Sequence, residues 1–421
     1  MERLRSLPSQ QREAIGAIVG GVLVGVVAVL FAILGEYAAE GMHWVISFSP
    51  WYLLVLTPST FLLAIFLLKK FFPSATGSGI PQTIAALRSQ PGQARKYVSL
   101  KASLGKILTT VIALFGGASL GREGPTVQVG AGIMREIGVQ LHLGPTAIRH
   151  LILAGGGAGI AAAFNAPLAG LVFAIEELSL RSNRVMTNFI LLGVLVAGVV
   201  SQIILGDHPF FTASILESVY IVEIQAAVIV GGIAGIVGGL FSKFLLTGTR
   251  KLARFAKTHP FILAGTFGII IALIGIFTQG GVLGTGYLRA TDWLQRHEHM
   301  NPLIYSGLKF LTTLLSYMSG LAGGIFAPSL AIGSSIGASL AFVLPKYVWA
   351  NCAFLGMAAY FSAVVQAPLT AFVIVFEMTA AHKLMLPLML ASFIGYLISR
   401  RICKQSLYRG LLQIPEEEGK K

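Results

Sequence analysis

The sequence predicts an all-α polytopic membrane protein built from two inverted-topology repeats with broken and half-spanning helices. Three observations carry that prediction. Of the 421 residues, 55% are hydrophobic and only 11% charged, against roughly 25% charged residues in soluble domains, and the mean hydropathy is +0.78. Three marks of the first half return in order in the second: Val19-Gly20-Gly21 as Val230-Gly231-Gly232, the set Gly121, Pro125 and Gly130 as Gly324, Pro328 and Gly333, and Ala166-Pro167-Leu168 as Ala367-Pro368-Leu369. The offsets of 211, 203 and 201 residues agree apart from small deletions, and a Glu stands nine residues after each of the last two prolines, at Glu176 and Glu377. Ordered self-similarity of this kind marks a structural repeat. Finally, the first repeat starts after basic Arg3, Arg5 and Arg12, whereas the equivalent start of the second, residues 215–223, is acidic and free of Lys and Arg. The halves therefore enter the membrane from opposite sides, and repeats so related place a binding site near the midplane, at the ends of discontinuous helices.

In chain order, residues 1–13 form a cytoplasmic N-terminal tail and 14–206 the first transmembrane repeat. Stretches 14–34 and 51–68 form an out-and-back pair, with Glu36, Glu40 and His43 in the external link. The first is too long for a signal-peptide core and lacks a clear cleavage site, so it is retained as a span. Gly77-Ser78-Gly79-Ile80-Pro81 is followed by only a short helical segment, 82–88, which is a half-helix. Residues 106–120 then lead into Gly121-Arg122-Glu123-Gly124-Pro125, and 126–141 lead out, with a new helix starting near Pro125. Segments 150–164, 167–178 and 186–205 complete the repeat. An external linker, 207–223, carries Asp207, His208, Glu217 and Glu223. The second repeat, 224–408, follows the same order, and 409–421 is a cytoplasmic C-terminal tail too short for a nucleotide-sensing domain. The chain has room for roughly ten or more spans of about 20 residues, and no sizeable soluble domain.

The net charge of +14 does not imply a nucleic-acid partner. Its Lys and Arg cluster before the first span, at Lys69 and Lys70, from Arg88 to Lys106, from Lys243 to Lys257 and from Arg400 to Arg409, each abutting a predicted membrane end in the positive-inside pattern. Those clusters and both termini are assigned to the cytoplasm, the chain to the cell inner (plasma) membrane, and lipid to its surroundings. Cys352 and Cys403 have neither disulfide nor metal spacing and read as packing residues. Gly155 to Gly159 has no preceding strand and reads as small-residue helix packing. His297-Glu298-His299 lacks further ligands, so no metal is expected, and no cofactor. No Ser-His, paired-Asp or His-rich constellation lies within the spans, which argues against an enzyme.

The chemistry lies in the breaks. Glycine relaxes the backbone and Pro suits a first helical turn, so the two breaks above and Gly324-Ile325-Phe326-Ala327-Pro328 each offer free amides at a helix start. Such a terminus carries about half a positive charge and suits an anion. One end contributes roughly 0.3–2 kcal/mol, against tens of kcal/mol for full dehydration of an ion; several converging ends with hydroxyls are needed to hold an anion loosely enough to let it leave. Arg122 and Glu123 cost roughly 2.5–3.5 kcal/mol each at such depth, which marks them as functional.

The three breaks, in this order and spacing, resemble the signature motifs of the CLC family of chloride channels and proton-coupled chloride transporters, in the prokaryotic-type form without cytoplasmic CBS domains. Similarity extends through Phe164-Asn165-Ala166-Pro167-Leu168 and Ile175-Glu176-Glu177 to Tyr408. The resemblance implies a homodimer with one anion pathway per subunit, and chloride and protons as the transported ions. It implies that Ser78 coordinates the central chloride opposite Tyr408, that the Ile325 and Phe326 amides donate to it, and that Gly79 and Gly324 belong to the same anion cradle. Taken alone, Ser78 reads as a helix cap and Tyr408 as an interfacial aromatic. Glu123 corresponds to the gating glutamate, which occupies the anion site when ionised and leaves it when protonated. Glu177 corresponds to the internal proton-transfer glutamate that exchangers have and most channel members lack; alone it reads as a solvated helix end. Arg122 stays open between the anion potential and a structural ion pair, Glu176 has no assigned role, and its repeat mate Glu377 is taken as structural. One departure is Gln82, where many members carry Glu, with no acidic residue between Pro81 and Gly121. The implied function is exchange of chloride for protons; the alternative is a passive chloride channel.

Overall fold

Two series of eight α-helices, followed by one more, make up the described residues of the computed structural model, namely 7–90, 92–178, 184–206, 210–211, 220–295, 300–340, 349–379 and 382–418. The first series is α1 (Ser9–Phe48), α2 (Leu53–Lys70), α3 (Ile80–Arg88), α4 (Leu100–Phe115), α5 (Glu123–Gln140), α6 (Pro145–Phe164), α7 (Pro167–Phe173, continued as a π-turn Ala174–Leu178) and α8 (Arg184–Leu205). The second is α9 (Tyr220–Thr258), α10 (Pro260–Phe277), α11 (Tyr287–Gln295), α12 (Pro302–Met318), α13 (Phe326–Leu340), α14 (Trp349–Val365), α15 (Pro368–Thr379) and α16 (Met385–Ile402); α17 (Leu407–Glu418) closes the chain.

Local chemistry accounts for the ends. Prolines open α6, α7, α10, α12 and α15 at their first positions, where the missing N–H costs nothing. Ser99 and Asn301 accept first-turn amides of α4 and α12. Asn165 and Gln366, repeat mates, end α6 and α14 in the left-handed region at φ 52 and 62.

Among the described residues, eight helices are long and apolar enough to cross a membrane. Among the rest, α3, α7 and α11 have only 9, 7 and 9 residues, well under the roughly 20 that span a hydrocarbon core. These are the half-spanning pieces. The inversion is visible in reciprocal contacts. Gly121 N donates to Gly324 O and Gly324 N to Gly121 O, both at 2.7 Å, an antiparallel exchange that a local two-fold axis maps onto itself. The carboxylate of Glu377 accepts from Leu168 N and Ala169 N at 3.0 and 2.6 Å, and that of Glu176 from Leu369 N and Thr370 N at 3.2 and 2.6 Å. Each repeat thus caps the other's Ala-Pro-Leu helix. Backbones touch at equivalent glycines, Gly130 on Gly155 and Gly333 on Gly356, so α5 crosses α6 as α13 crosses α14, and the Gly155 to Gly159 run is buried helix packing.

Several boundaries differ from expectation. Helix α1 continues to Phe48, so Glu36, Glu40 and His43 lie on it and not in a link. Helix α5 begins at Glu123, two residues before Pro125. Helix α9 begins at Tyr220, which puts Glu223 in its first turn, where Asn351 donates to it at 3.1 Å. The expected tail from 409 is helical, because α17 starts at Leu407. Asp207, His208, Glu217 and the His297 to His299 pair lie outside the described residues. On the basic side, Lys69 reaches the carbonyls of Ala256 and Lys257 at 3.5 Å, and Arg12 reaches Leu141 O at 3.1 Å, which draws separate basic clusters together.

Candidate functional site

All three expected breaks converge, although up to 247 residues separate them in sequence. Beside the exchange between Gly121 and Gly324, Gly77 N donates to Leu321 O at 3.2 Å and Gly323 N to Gly77 O at 3.1 Å. The contact is close enough that only glycine fits. A Cβ on Gly124 would lie 2.6 Å from Ser78 Oγ and 3.3 Å from Gly324 Cα, and one on Gly79 would lie 2.7 Å from Gly124 O. Gly77 and Gly79 also have φ of 70 and 104, which side chains rarely adopt.

This packing revises two of the expected ion contacts. The Gly79 amide donates to Gln82 Oε1 at 2.9 Å, while Gln82 Nε2 donates to Thr76 O at 2.6 Å, so Gln82 caps its own half-helix. The Gly324 amide is used by Gly121 O. Neither glycine therefore has a free N–H for an anion; their role is to let the strands of the break approach. The amides of Ile325 and Phe326, at the start of α13, lie beyond those backbone pairings. Phe326 is wholly buried, with Phe361 4.6 Å and Tyr408 6.1 Å from its ring centroid.

Ser78 and Tyr408 are 0% exposed. They adjoin, yet neither hydroxyl has a partner at hydrogen-bonding geometry. Two adjacent buried hydroxyls left over by the protein's own hydrogen bonds are available to a polar group. Glu123 is also 0% exposed. Its Oε2 accepts from Ala327 N at 3.4 Å and its Oε1 from Tyr287 Oη–H at 2.6 Å. The carboxylate thus sits at the start of α13. Arg122 points elsewhere: it donates to Ala32 O and, at 2.9 Å, to Glu36 Oε1.

Glu177 is 7% exposed and its Oε1 lacks a partner. It borders an open cavity of about 340 Å³ lined also by Glu176, Tyr396, Lys404, Ser406 and Arg409. A second open cavity, of about 430 Å³, adjoins the first break and is lined by Ser74, Thr76, Pro81, Gln82, Tyr97 and Leu411. Both glutamates line the first cavity, but the Glu176 carboxylate is engaged by the amides of Leu369 and Thr370.

Sequence reasoning missed a fourth break, Gly284-Thr285-Gly286-Tyr287, the repeat mate of Gly77-Ser78-Gly79-Ile80. Its glycines have φ of 65 and 88, matching those of the first. It also missed two wholly buried lysines that are repeat mates. Lys106 donates to the carbonyls of Thr76 and Gly77 at 3.2 and 2.7 Å, and Lys309 to those of Val282, Leu283 and Gly284 at 3.0, 3.5 and 2.6 Å. A legible signal existed: Gly284 and Gly286 follow Gly77 and Gly79 by 207 residues, between the offsets of 211 and 203, and the 203-residue offset carries Lys106 onto Lys309.

The profile of the voltage gated chloride channel family matches residues 60–400. An H(+)/Cl(-) exchange transporter ClcA of Vibrio cholerae serotype O1 is 32% identical over 432 residues, covering 93% of this chain and 88% of the relative. A crystal structure of a slow cyanobacterial Cl-/H+ antiporter superposes with a TM-score of 0.87 at 26% identity, over 99% of this chain and 100% of that one. A CLC-type fluoride/proton antiporter superposes with a TM-score of 0.79 at 26% identity, over 93% and 96%.

Proposed function

The chain belongs to the voltage gated chloride channel family, and from that premise we propose that it is a secondary transporter exchanging chloride for protons across a membrane. The seat of Glu123 carries this reading. A buried carboxylate on the Ala327 amide stands where a halide would be held, so when ionised it excludes chloride and when protonated it leaves the place open. One side chain then binds either species in turn. Ser78, Tyr408 and the Ile325 and Phe326 amides hold the next chloride; all are neutral donors, which bind an anion without trapping it. Lys106 and Lys309 add positive potential from behind the breaks while their own N–H groups are satisfied by carbonyls.

Glu177, at the mouth of its own cavity, passes protons to and from the cytoplasmic side, while chloride uses the cavity beside Gln82. Both termini are cytoplasmic in this reading, and the protein sits in the inner membrane. We also read it as a homodimer. The short α7 and α15 expose Leu168 and Leu369 at 53% and 56% beside helix starts too short to face lipid alone, because irregular backbone at membrane depth needs protein cover. Sedimentation in detergent should give a particle of two chains; a monomer counts against it.

The test of exchange is reconstitution in liposomes. A chloride gradient should drive protons uphill, and Glu177→Gln should keep chloride flux while losing proton flux. Chloride movement without proton flux in the unaltered protein would identify a passive channel instead.

A further inference from the structure

Both repeats build the same device, a Gly-x-Gly turn entering a nine-residue helix and clamped from behind by a buried lysine. They differ at the first helical residue. In the first repeat it is Ile80, which has no polar atom in its side chain. In the second it is Tyr287, whose phenol donates to Glu123 Oε1 at 2.6 Å. That length is typical of a charge-assisted O–H···O⁻ bond, and it is far shorter than the 3.4 Å from Ala327 N to the other carboxylate oxygen. Of the two donors on Glu123, the phenol is the stronger.

The phenol is also held in place. Lys309 ties three successive carbonyls of the turn, ending at Gly284, which leaves the start of α11 little freedom. Phe210 and Phe211 pack on the Tyr287 ring, with centroids at 4.7 and 6.0 Å, and the Phe211 amide is tied to Met378 O at 2.9 Å. These rings brace the phenol at a bond that is itself part-buried.

We propose that Tyr287 is the latch of the gate: a positioning residue that holds ionised Glu123 in the anion position and so sets how strongly chloride must compete to enter. This rests on the reading of Glu123 as a gate. It follows that the fourth break serves the carboxylate through a side chain, where the third serves it through the backbone amide of Ala327, and that the turnover of the exchanger is set in part by one phenolic hydroxyl.

Tyr287→Phe removes a single oxygen and leaves the ring packing. In the full-length protein it should tighten chloride binding, measured by calorimetry, by about tenfold or more, the worth of a hydrogen bond to a charged group, with an unchanged melting temperature. The same substitution on a Glu123→Ala background should change chloride binding by less than about twofold, the usual limit of additivity. An unchanged chloride affinity in Tyr287→Phe, or an equal gain on both backgrounds, overturns the latch. If Glu123→Ala by itself leaves chloride affinity and proton flux as in the unaltered protein, the gate reading fails and the latch with it. If Glu123→Ala changes both but Tyr287→Phe changes nothing, only the latch is lost.

Discussion

Glu123→Gln is expected to keep chloride flux and abolish proton flux. The replacement is nearly isosteric and still accepts from Tyr287, so the helix starts around it retain their packing. What it loses is the charge. An ionised carboxylate gains roughly 1.5–3 kcal/mol per hydrogen bond, against about 1 kcal/mol for a neutral acceptor, and it also gains from the partial positive charge of the α13 start. Without those gains the side chain no longer competes well with chloride, and chloride binding tightens. Because the amide takes up no proton in the working range, the step that links a proton to each emptying of the site disappears. Parallel chloride and pH electrode recordings on liposomes check both statements, and retained uphill proton movement in this variant would remove Glu123 from the coupling.

Gly124→Ala should have the opposite effect, a loss of chloride binding with coupling chemistry left in place. The added Cβ would stand 2.6 Å from Ser78 Oγ, so the hydroxyl must rotate or α3 must retreat from α5. Either movement takes a donor from the ion, and losing a hydrogen bond to a charged species weakens binding by about 1.5–3 kcal/mol, roughly tenfold to a hundredfold. Gly144→Ala is the natural control, since a Cβ there meets nothing within 4 Å and φ is an ordinary −67. Calorimetric chloride titration of the two variants separates them. Equal affinities would show that close approach of the breaks is not what shapes the site.

The membrane class, the two repeats, their inversion and three of the four breaks were all legible in the amino-acid sequence. Each rests on a local or periodic property: apolar runs long enough to span, Gly and Pro at fixed places in a turn, and Lys and Arg at membrane ends. Recurrence of the same marks about 200 residues apart made the symmetry readable without contacts. Which groups meet was another matter. Glu123 and Tyr287 are 164 residues apart, Arg122 and Glu36 are 86 apart, and each bond depends on two rotamers and on the packing of several helices. The length of α1 shows the same limit, because Glu36 and Glu40 look like the end of a span until Arg122 is seen beside the first of them. Capping of α15 by Glu176, and of α7 by Glu377, was likewise hidden, since a carboxylate at a helix end looks solvated in sequence whatever it faces. The two glycines expected in the anion cradle carry the same lesson: sequence marks where a turn with free amides can form, and only the fold decides which amides other groups use first. Chain chemistry alone thus set the scaffold and the kind of ion it suits. Tertiary structure decided where the carboxylate sits, which hydroxyls stay without partners and which phenol holds the gate, because those depend on distances between segments that no local pattern encodes.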